Sequence, residues 1–398
     1  MTATRISRLE VQNFKSLVDF QLDLPKFTCL IGLNGSGKST VLQFVDFVSQ
    51  LMRGGMKQWL SDRDWEANDV KSKLTRHKTI DFEIGFEDDF GRDAGSWQGT
   101  FLPSRLRCVK ECLTLPDCVF EANDDCLQLR PRGTSMPAGT VLWKHPVTFE
   151  FEGSILSQLK KASLPDSIQA VHALLDDSTS LDLGSPQVLG GPTRSAPRQV
   201  GRSGEPLAAM LHHLLPVQRW ELTNLLKQVD PHLEAIDIQS HRSGEKHLEI
   251  RQRFQSEAQD SPIEMRTEGR HINAGLLRML AILAGLGSRS RFLWCDEIEN
   301  GINPESLPFL VTHLLTTCEQ VLITTQSPML LNQLDDETAK ASVIYMDRQA
   351  NGQARAIPFF EIPSLRKKLE VMGPGEAFAD TMLTALHDEL ATVLGGAH

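Results

Sequence analysis

The chain lacks long apolar runs and a surplus of basic residues. None of its apolar stretches approaches the roughly 20 residues that a membrane-spanning helix needs, and its first residues lack a signal-peptide core. We therefore expect a cytoplasmic protein with no membrane partner. The formal net charge is −10, whereas a protein that grips nucleic acid with its whole surface is usually basic. Net charge thus offers no argument for DNA binding, although a local basic groove remains open.

The chain also lacks the residue spacing of a zinc knuckle. Its seven cysteines are an odd number without a secretory context, so we expect reduced thiols. Four of them cluster and could hold zinc as thiolates, but no pair has the two-residue spacing of a knuckle. Unrelated buried thiols are the favoured interpretation of this cluster. Its members are Cys108, Cys112, Cys118 and Cys126.

The composition that is present belongs to a soluble globular protein. The 398 residues suffice for one large domain or two ordinary ones, and 40% of them are hydrophobic while 23% are charged. Period-two strands precede residue 27, which predicts a small antiparallel layer. The alternating Val147–Glu152 predicts a further strand, and the turn-rich stretch before it is hard to place. The last third alternates strand and helix patterns, which favours an α/β fold with a mainly parallel sheet.

These patterns predict three regions along the chain. We expect an N-terminal lobe over residues 1–100, a middle region over 101–245 and a C-terminal lobe over 246–398. Few large apolar side chains fall between about residues 176 and 203, where Ser, Gly, Pro and Arg are frequent. That composition predicts a mobile linker or insertion.

A glycine-rich segment near the N-terminus carries the strongest signal in the chain. Residues 32–39 read Gly-Leu-Asn-Gly-Ser-Gly-Lys-Ser, which fits the phosphate-binding loop pattern. A buried strand precedes this loop and an apolar helical stripe follows it, as the mechanism requires. Glycines let backbone N–H groups converge at a helix N-terminus, where the helix dipole favours phosphate. The predicted nucleotide-binding residues are Gly32, Asn34, Gly35, Ser36, Gly37, Lys38, Ser39 and Thr40.

This segment predicts binding of a nucleoside triphosphate with Mg²⁺. Lys38 would reach the β- and γ-phosphates, and the Ser39 hydroxyl would ligate Mg²⁺. Much later, the apolar strand Phe292–Cys295 ends in Asp296 and Glu297. A parallel strand delivers such side chains to the sheet edge where a phosphate loop also lies. Asp296 is therefore predicted to hold Mg²⁺ and Glu297 to polarise the attacking water, with an ordinary acidic loop as the alternative.

Two further segments complete a recognisable order of motifs. Ile272-Asn273-Ala274-Gly275 opens an apolar helix, and Val321–Thr325 runs into Gln326-Ser327-Pro328. With Asn13-Phe14-Lys15-Ser16 and the phosphate loop, these segments make the chain resemble ABC-type ATPase heads of the SMC and RecF kind. It resembles more closely the AAA-labelled branch that includes overcoming-lysogenization-defect (OLD) proteins and the ATPase subunits of bacterial anti-phage systems. The resemblance implies a P-loop ABC-ATPase head with a mainly parallel core sheet, an N-terminal antiparallel β layer and a mixed α/β or helical middle insertion.

The resemblance also implies roles for individual residues. Asn273 and Gly275 would contact the γ-phosphate of ATP bound to a second copy, with Asn273 standing where serine is usual. Lys15 and Ser16 match positions near the nucleotide phosphates, an exposed strand-end pair being the alternative. Gln326 stands where the family usually has a catalytic, γ-phosphate-sensing histidine. A glutamine amide donates a hydrogen bond but cannot carry a proton charge, so we expect slow turnover unless Gln326 serves as an equivalent donor.

We therefore expect an ATPase that forms a homodimer or higher homo-oligomer around ATP and Mg²⁺. Because the sequence contains no recognisable nuclease constellation, the leading hypothesis is a sensor and scaffold for a separate effector, a nuclease or toxin, in anti-phage defence. The alternative is a RecF- or SMC-like DNA-binding ATPase in DNA repair or maintenance, and a transporter ATPase is disfavoured. DNA contact would draw on basic residues of the predicted linker, although a run of this kind is more often merely solvated. They are Arg194, Arg198 and Arg202.

Overall fold

The computed structural model describes residues 2–132, 140–181, 183–194, 207–255, 262–287, 290–386 and 389–390. The strands are β1 (Arg5–Phe14), β2 (Leu17–Asp23), β3 (Phe27–Ile31), β4 (Ile80–Glu87), β5 (Asp93–Leu102), β6 (Arg107–Thr114), β7 (Cys118–Asn123), β8 (Cys126–Pro131), β9 (Trp143–Pro146), β10 (Thr179–Leu181), β11 (Leu233–Ser240), β12 (Lys246–Phe254), β13 (Ile263–Glu268), β14 (Phe292–Cys295), β15 (Gln320–Thr324), β16 (Val343–Arg348) and β17 (Ala354–Pro358).

The helices are α1 (Lys38–Arg53), α2 (Met56–Ser61), α3 (Asp166–Asp176), α4 (Pro186–Leu189), α5 (Leu207–His213), α6 (Pro216–Leu226), α7 (Ala274–Leu286), α8 (Leu307–Thr316), α9 (Pro328–Leu331), α10 (Asp336–Ser342), α11 (Pro363–Leu369) and α12 (Pro374–Ala379). Among the described residues, no helix combines the length and the hydropathy needed to cross a bilayer.

The chain forms two compact units. Unit 1 comprises Met1–Ser178, Glu337–Met372 and Ala379–His398, and unit 2 comprises Thr179–Asp336 and Gly373–Phe378. The predicted lobe boundary after residue 100 falls inside β5. The stretch predicted as a mobile linker contains the end of α3, the whole of β10 and the whole of α4. Its residues 195–203 lie outside the described part of the chain.

Unit 1 is built around a large antiparallel sheet. Its eight strands run in the order β2-β1-β4-β5-β6-β7-β8-β9. Burial alternates along β4, with Ile80, Phe82, Ile84 and Phe86 buried, because successive side chains of a strand point to opposite faces. The same unit holds β3, which pairs in parallel with β16, and β16 pairs antiparallel with β17.

Unit 2 contains one parallel and one antiparallel group of strands. β14 pairs in parallel with β10 on one side and with β15 on the other. All of β14 and β15 is buried, as expected for parallel strands covered on both faces. β11, β12 and β13 form a three-stranded antiparallel sheet. The apolar helix α7 packs near β10 in this unit.

The predicted α/β class and antiparallel layer are confirmed, and two details differ. The layer is far larger than the two N-terminal strands indicated, because the turn-rich stretch after residue 100 supplies β6 to β9. Val147–Glu152 is not a strand, so that prediction is wrong; β9 ends at Pro146. Parallel pairing is limited to short strands, and most strand pairs within the two units are antiparallel. The mainly parallel core sheet therefore remains a prediction.

Candidate functional site

The phosphate-loop segment folds as strand, loop and helix within unit 1. β3 is buried along its whole length, and α1 begins at Lys38, within the glycine-rich segment. Gly32, Gly35 and Gly37 all have positive φ, at 142°, 77° and 107°. Side chains rarely adopt this backbone region, so the loop conformation depends on glycine at these positions.

The hairpin of β16 and β17 packs closely against the loop. A Cβ built on Gly32 would lie 2.4 Å from the carbonyl oxygen of Met346. A Cβ built on Gly37 would lie 2.8 Å from the Cβ of Ala354. Steric closeness therefore excludes a side chain at both glycines, independently of their backbone conformation.

Two polar side chains are buried inside the loop. The Lys38 Nζ donates to the carbonyl oxygens of Gly32 at 2.8 Å and Leu33 at 3.1 Å. Ser36 is 3% exposed, and its Oγ has no hydrogen-bond partner within the described part of the chain. A buried hydroxyl without a partner is destabilising, and a bound oxyanion would accept its hydrogen bond.

The N-terminus of α1 has no side-chain cap. Gly37 occupies the N-cap position, and the first turn contains no acidic residue. The first N–H groups of a helix have no intrahelical acceptor and carry partial positive charge. Ser39 is exposed and Thr40 half-buried at this end of the helix. The start of α1 therefore presents hydrogen-bond donors of the kind that bind phosphate.

The turn between β1 and β2 borders the phosphate loop. The Phe14 ring lies 5.4 Å from that of Phe44 and 5.3 Å from that of Phe47, both on α1. This packing anchors the turn on the helix. The Ser16 hydroxyl lies 3.3 Å from a Cβ built on Gly37. Ser16 is thus beside the loop, as its predicted role requires.

Lys15 is engaged by α1 and by an aromatic ring. Its Nζ donates to the Gln43 Oε1 at 2.8 Å and lies 3.3 Å from the centroid of the Trp65 ring. Burial lowers the pKa of Lys15 to about 8, and the Asp69 carboxylate opposes this shift. Lys15 also has φ of 47°, a region that long side chains adopt only when their surroundings enforce it. Its contact with phosphate stays a prediction.

In unit 2, β14 delivers Asp296 and Glu297 to its carboxyl end. The Thr324 hydroxyl donates to the Asp296 Oδ1 at 2.5 Å and accepts from the Glu297 N–H at 2.8 Å. Because Thr324 is buried at the end of the neighbouring β15, it holds both acidic residues in place. Glu297 has φ of 45°. Non-glycine residues held in this backbone region cluster at functional sites.

Gln326 contacts the predicted base directly. Its Nε2 donates to the Glu297 Oε1 at 2.8 Å, and its backbone N–H donates to the Glu299 Oε1 at 2.9 Å. The structure thus brings Asp296, Glu297 and Gln326 together. Glu299 and Thr324 also contact these residues. Thr324 lies in the motif segment Val321–Thr325, but the sequence assigned no role to either side chain, because these contacts depend on the folded chain.

The start of α7 explains one departure from the family pattern. Asn273 is the N-cap residue, and its Oδ1 accepts from the N–H groups of Gly275 at 2.9 Å and Leu276 at 3.4 Å. Asparagine and serine are comparable N-caps, so the exchange preserves the helix start. A Cβ built on Gly275 would lie 2.7 Å from the Gly301 carbonyl oxygen, which explains the glycine.

Of the three arginines in the predicted linker, the structure describes only Arg194. Arg194 forms an ion pair with Glu245 at 3.2 Å. Arg198 and Arg202 lie outside the described residues. The charge of Arg194 is therefore partly neutralised by a carboxylate of unit 2.

The clustered cysteines lie on three strands of the large sheet. Cys108 and Cys118 are buried, and burial raises the pKa of both thiols, that of Cys118 to about 11. Within the described ranges, no group of three or more His, Cys, Asp or Glu side chains is arranged to hold a metal ion.

Comparison with known proteins finds a family match that includes the phosphate loop. Residues 5–90 match the family model described as an AAA ATPase domain. A 43-residue segment is 44% identical to the OLD nuclease of Thermus scotoductus (strain ATCC 700910 / SA-01), and it spans 11% of this chain and 8% of that protein. The resemblance to SMC- and OLD-like AAA ATPases is confirmed.

The likeness to solved structures extends over most of the chain. An SMC head bound to the C-winged helix domain of ScpA is 14% identical, with a TM-score of 0.55, over 92% of this chain and 99% of that chain. An SMC head with an extended coiled coil, bound to the C-terminal domain of ScpA derived from Pyrococcus furiosus, is 12% identical, with a TM-score of 0.52, over 92% and 98%. At these identities the likeness shows the fold alone.

Proposed function

We propose that this chain binds ATP with Mg²⁺ and hydrolyses it slowly. The observation that carries the proposal is the phosphate loop, which combines three positive-φ glycines, a buried lysine and a helix N-terminus without a side-chain cap. Each feature favours an anion, and together they suit a triphosphate. On binding, Lys38 exchanges its loop carbonyls for charged β- and γ-phosphate oxygens, which are stronger acceptors.

The donor residues fit Mg²⁺. The Ser39 hydroxyl and the Asp296 carboxylate belong to exposed residues and are oxygen donors. Nucleotide enzymes hold Mg²⁺ through one or two such oxygens together with phosphate oxygens. When bound, the cation neutralises phosphate charge. We assign Asp296 to the cation, and the Thr324 hydroxyl orients its carboxylate.

Glu297 is the residue that we assign to polarise the attacking water. Its carboxylate accepts a hydrogen bond from the Gln326 amide. An amide maintains that contact but cannot take up or release a proton near neutral pH. Gln326 therefore positions the base without relieving its charge. This supports slow hydrolysis, with ATP acting more as a clamp than as fuel.

A second copy of the chain completes the site in this proposal. Asn273 is exposed at the N-terminus of α7, so this helix end is accessible to a partner. Directed at the γ-phosphate of ATP on the other copy, its amides and dipole would meet anionic oxygen. ATP would therefore promote dimers, and a lone subunit would bind ATP without this contact.

We propose further that the dimer is a sensor and scaffold for a separate effector, such as a nuclease, in anti-phage defence. Support comes from a similar SMC head described with a bound ScpA domain and from a similar protein named a nuclease. Trp220, 65% exposed on α6, lies among other exposed apolar residues that offer a partner a surface. They are Leu215 and Val217.

The DNA-binding alternative has less support from the described basic residues. On the three-stranded sheet of unit 2, Arg251 pairs with Asp237 at 2.7 Å and Arg253 pairs with Glu234 at 2.9 Å. Paired arginines offer less charge to a phosphate backbone, which dominates nucleic-acid affinity.

The test measures nucleotide binding and assembly of the purified chain. Wild type should bind ATP, and Lys38→Ala should abolish that binding. Glu297→Gln should bind ATP yet accumulate dimers, detected by light scattering, because the closed state persists without hydrolysis. Glu221→Gln, at an exposed position of α6, is the matched control and should behave as wild type.

Several outcomes would contradict the proposal. A wild-type chain that does not bind ATP would remove its basis, and wild-type hydrolysis by Glu297→Gln would show that Glu297 is not the base. Salt-sensitive DNA binding without any protein partner would favour the RecF-like alternative.

A further inference from the structure

The β16–β17 hairpin forms one wall of the phosphate loop. β16 and β3 are parallel, with Tyr345 opposite Ile31. The same register brings the next residues together, since the Met346 carbonyl oxygen lies 2.4 Å from a Cβ built on Gly32. If this register continues beyond β3, the end of β16 lies beside the middle of the phosphate loop.

Arg348, the last residue of β16, lies at that point. A Cβ built on Gly35 would lie 3.8 Å from a terminal nitrogen of its guanidinium. Arg348 is exposed, and its side chain makes no ion pair or hydrogen bond with any residue that the structure describes. The other arginine of this hairpin differs, because Arg355 pairs with the buried Asp347 at 2.7 Å.

The backbone around Arg348 is well held. The Gln349 N–H donates to the Gln353 carbonyl at 2.9 Å, which closes the hairpin turn. The Ala354 N–H donates to the Ser16 carbonyl at 2.9 Å, which ties the hairpin to the β1–β2 turn. The Cα of Arg348 is thereby fixed beside the loop, and only its flexible side chain has to adjust to a ligand.

We propose that Arg348 binds the phosphates of the nucleotide at this loop, as a cation in addition to Lys38. The proposal rests on the assignment of the loop to ATP. A guanidinium is always charged and presents five donors that match phosphate oxygens, so the contact persists over the whole physiological pH range. In a chain of net charge −10, a local cation also offsets the repulsion that a triphosphate meets on approach.

The experiment compares nucleotide affinity in wild type, Arg348→Ala and Arg348→Lys, by titration with ATP, ADP and AMP. We expect Arg348→Ala to raise the Kd for ATP and ADP about fivefold to tenfold. This is the effect expected from loss of a charge-assisted hydrogen bond at an exposed position. Arg348→Lys should recover part of the loss. AMP, which lacks the β- and γ-phosphates, should bind wild type and Arg348→Ala equally. The difference in Kd for ATP between these two proteins should shrink at high salt.

Arg132→Ala is the control, an exposed arginine that follows β8 in the same unit. It removes the same charge and should leave the Kd for ATP unchanged. If wild type binds ATP and Arg348→Ala binds it equally well, the contact is absent while the proposed function stands. Equal losses in Arg348→Ala and Arg132→Ala would assign the effect to overall charge and overturn the local contact. If wild type does not bind ATP, the proposed function itself fails.

Discussion

Replacing Gln326 tests how the residue that contacts Glu297 sets the rate of ATP hydrolysis. The Gln326 Nε2 and the Glu297 Oε1 lie 2.8 Å apart, and a hydrogen bond to a charged group contributes about 1.5–3 kcal/mol. Gln326 is exposed, so the lower end applies, about 1.5 kcal/mol or roughly a tenfold change in rate. We expect Gln326→Ala to lower kcat about tenfold, because Glu297 loses the donor that orients its carboxylate.

Gln326→His separates the donor role from proton transfer. An imidazole keeps a donor at this position but titrates near pH 6.5, and the Glu297 carboxylate would raise its pKa. The protonated ring should stabilise charge developing on the phosphate, so kcat should exceed that of wild type at low pH and fall towards it as the pH rises through the imidazole pKa. Wild type should lack this limb. Phosphate release at saturating ATP and Mg²⁺, measured across pH, reports all three rates.

The control is Gln333→Ala, an exposed glutamine just after α9 whose amide donates to the Met329 carbonyl at 3.1 Å. It should retain the wild-type kcat. A wild-type rate in Gln326→Ala would show that the contact with Glu297 does not orient the base. A pH profile of Gln326→His that superimposes on that of wild type would refute the role assigned to the missing proton.

Three further predictions concern burial, capping and backbone strain. Burial raises the pKa of Glu111 from 4.5 to about 7. As the pH rises, this carboxyl therefore ionises in the unfolded chain before it ionises in the native state, and the native state loses stability between these two pH values. In denaturant titrations, Glu111→Gln should gain on the order of 3 kcal/mol relative to wild type between pH 4 and pH 8, and a pH-independent difference would contradict this. Asn273→Ser should keep the wild-type hydrolysis rate, whereas Asn273→Ala should lose about 1 kcal/mol of helix capping and hydrolyse more slowly; equal rates would contradict the capping role. Gly32→Ala should abolish ATP binding and lower the Tm more than Gly244→Ala, since both have positive φ but only Gly32 faces a backbone atom at close range.

The phosphate loop could be predicted from the sequence because its parts are contiguous. A buried strand, glycines at fixed offsets and a helix with an apolar stripe all fall within residues 27–53, and local physics decides their conformation. The strand that carries Asp296 was predicted for the same reason. Its apolar run is short, bounded and followed at once by the two carboxylates.

The extent of the large sheet could not be predicted, because the local sequence pattern both missed real strands and indicated a false one. β7 and β8 bury only every second side chain, and their polar half makes the stretch look like turns. Phe149 and Phe151 alternate as a strand would, yet their segment has no strand partner within the described residues. A strand needs a neighbouring edge to pair with, and which edge is available depends on the whole fold.

The contacts between distant residues could not be predicted at all from one sequence. Gln326 reaches Glu297 across 29 positions of the chain, and Arg348 reaches Gly35 through the pairing of β16 with β3. The sequence supplied Glu297 and Gln326 as members of a motif order. It did not supply the hydrogen bond between them, which depends on the parallel pairing of β14 with β15.

The two departures from the family pattern act on different parts of the chemistry. Asn273 replaces a serine but still caps α7, so the helix end that we assign to the γ-phosphate keeps its geometry. Gln326 stands where the family usually has a histidine and still donates to Glu297, the base that we propose, but its amide cannot titrate near neutral pH. In the function that we propose, the contact of the helix end with phosphate is thus kept, while proton transfer at position 326 is lost. That asymmetry is what a chain needs if ATP is to hold two copies together for longer than a fast hydrolytic cycle would allow.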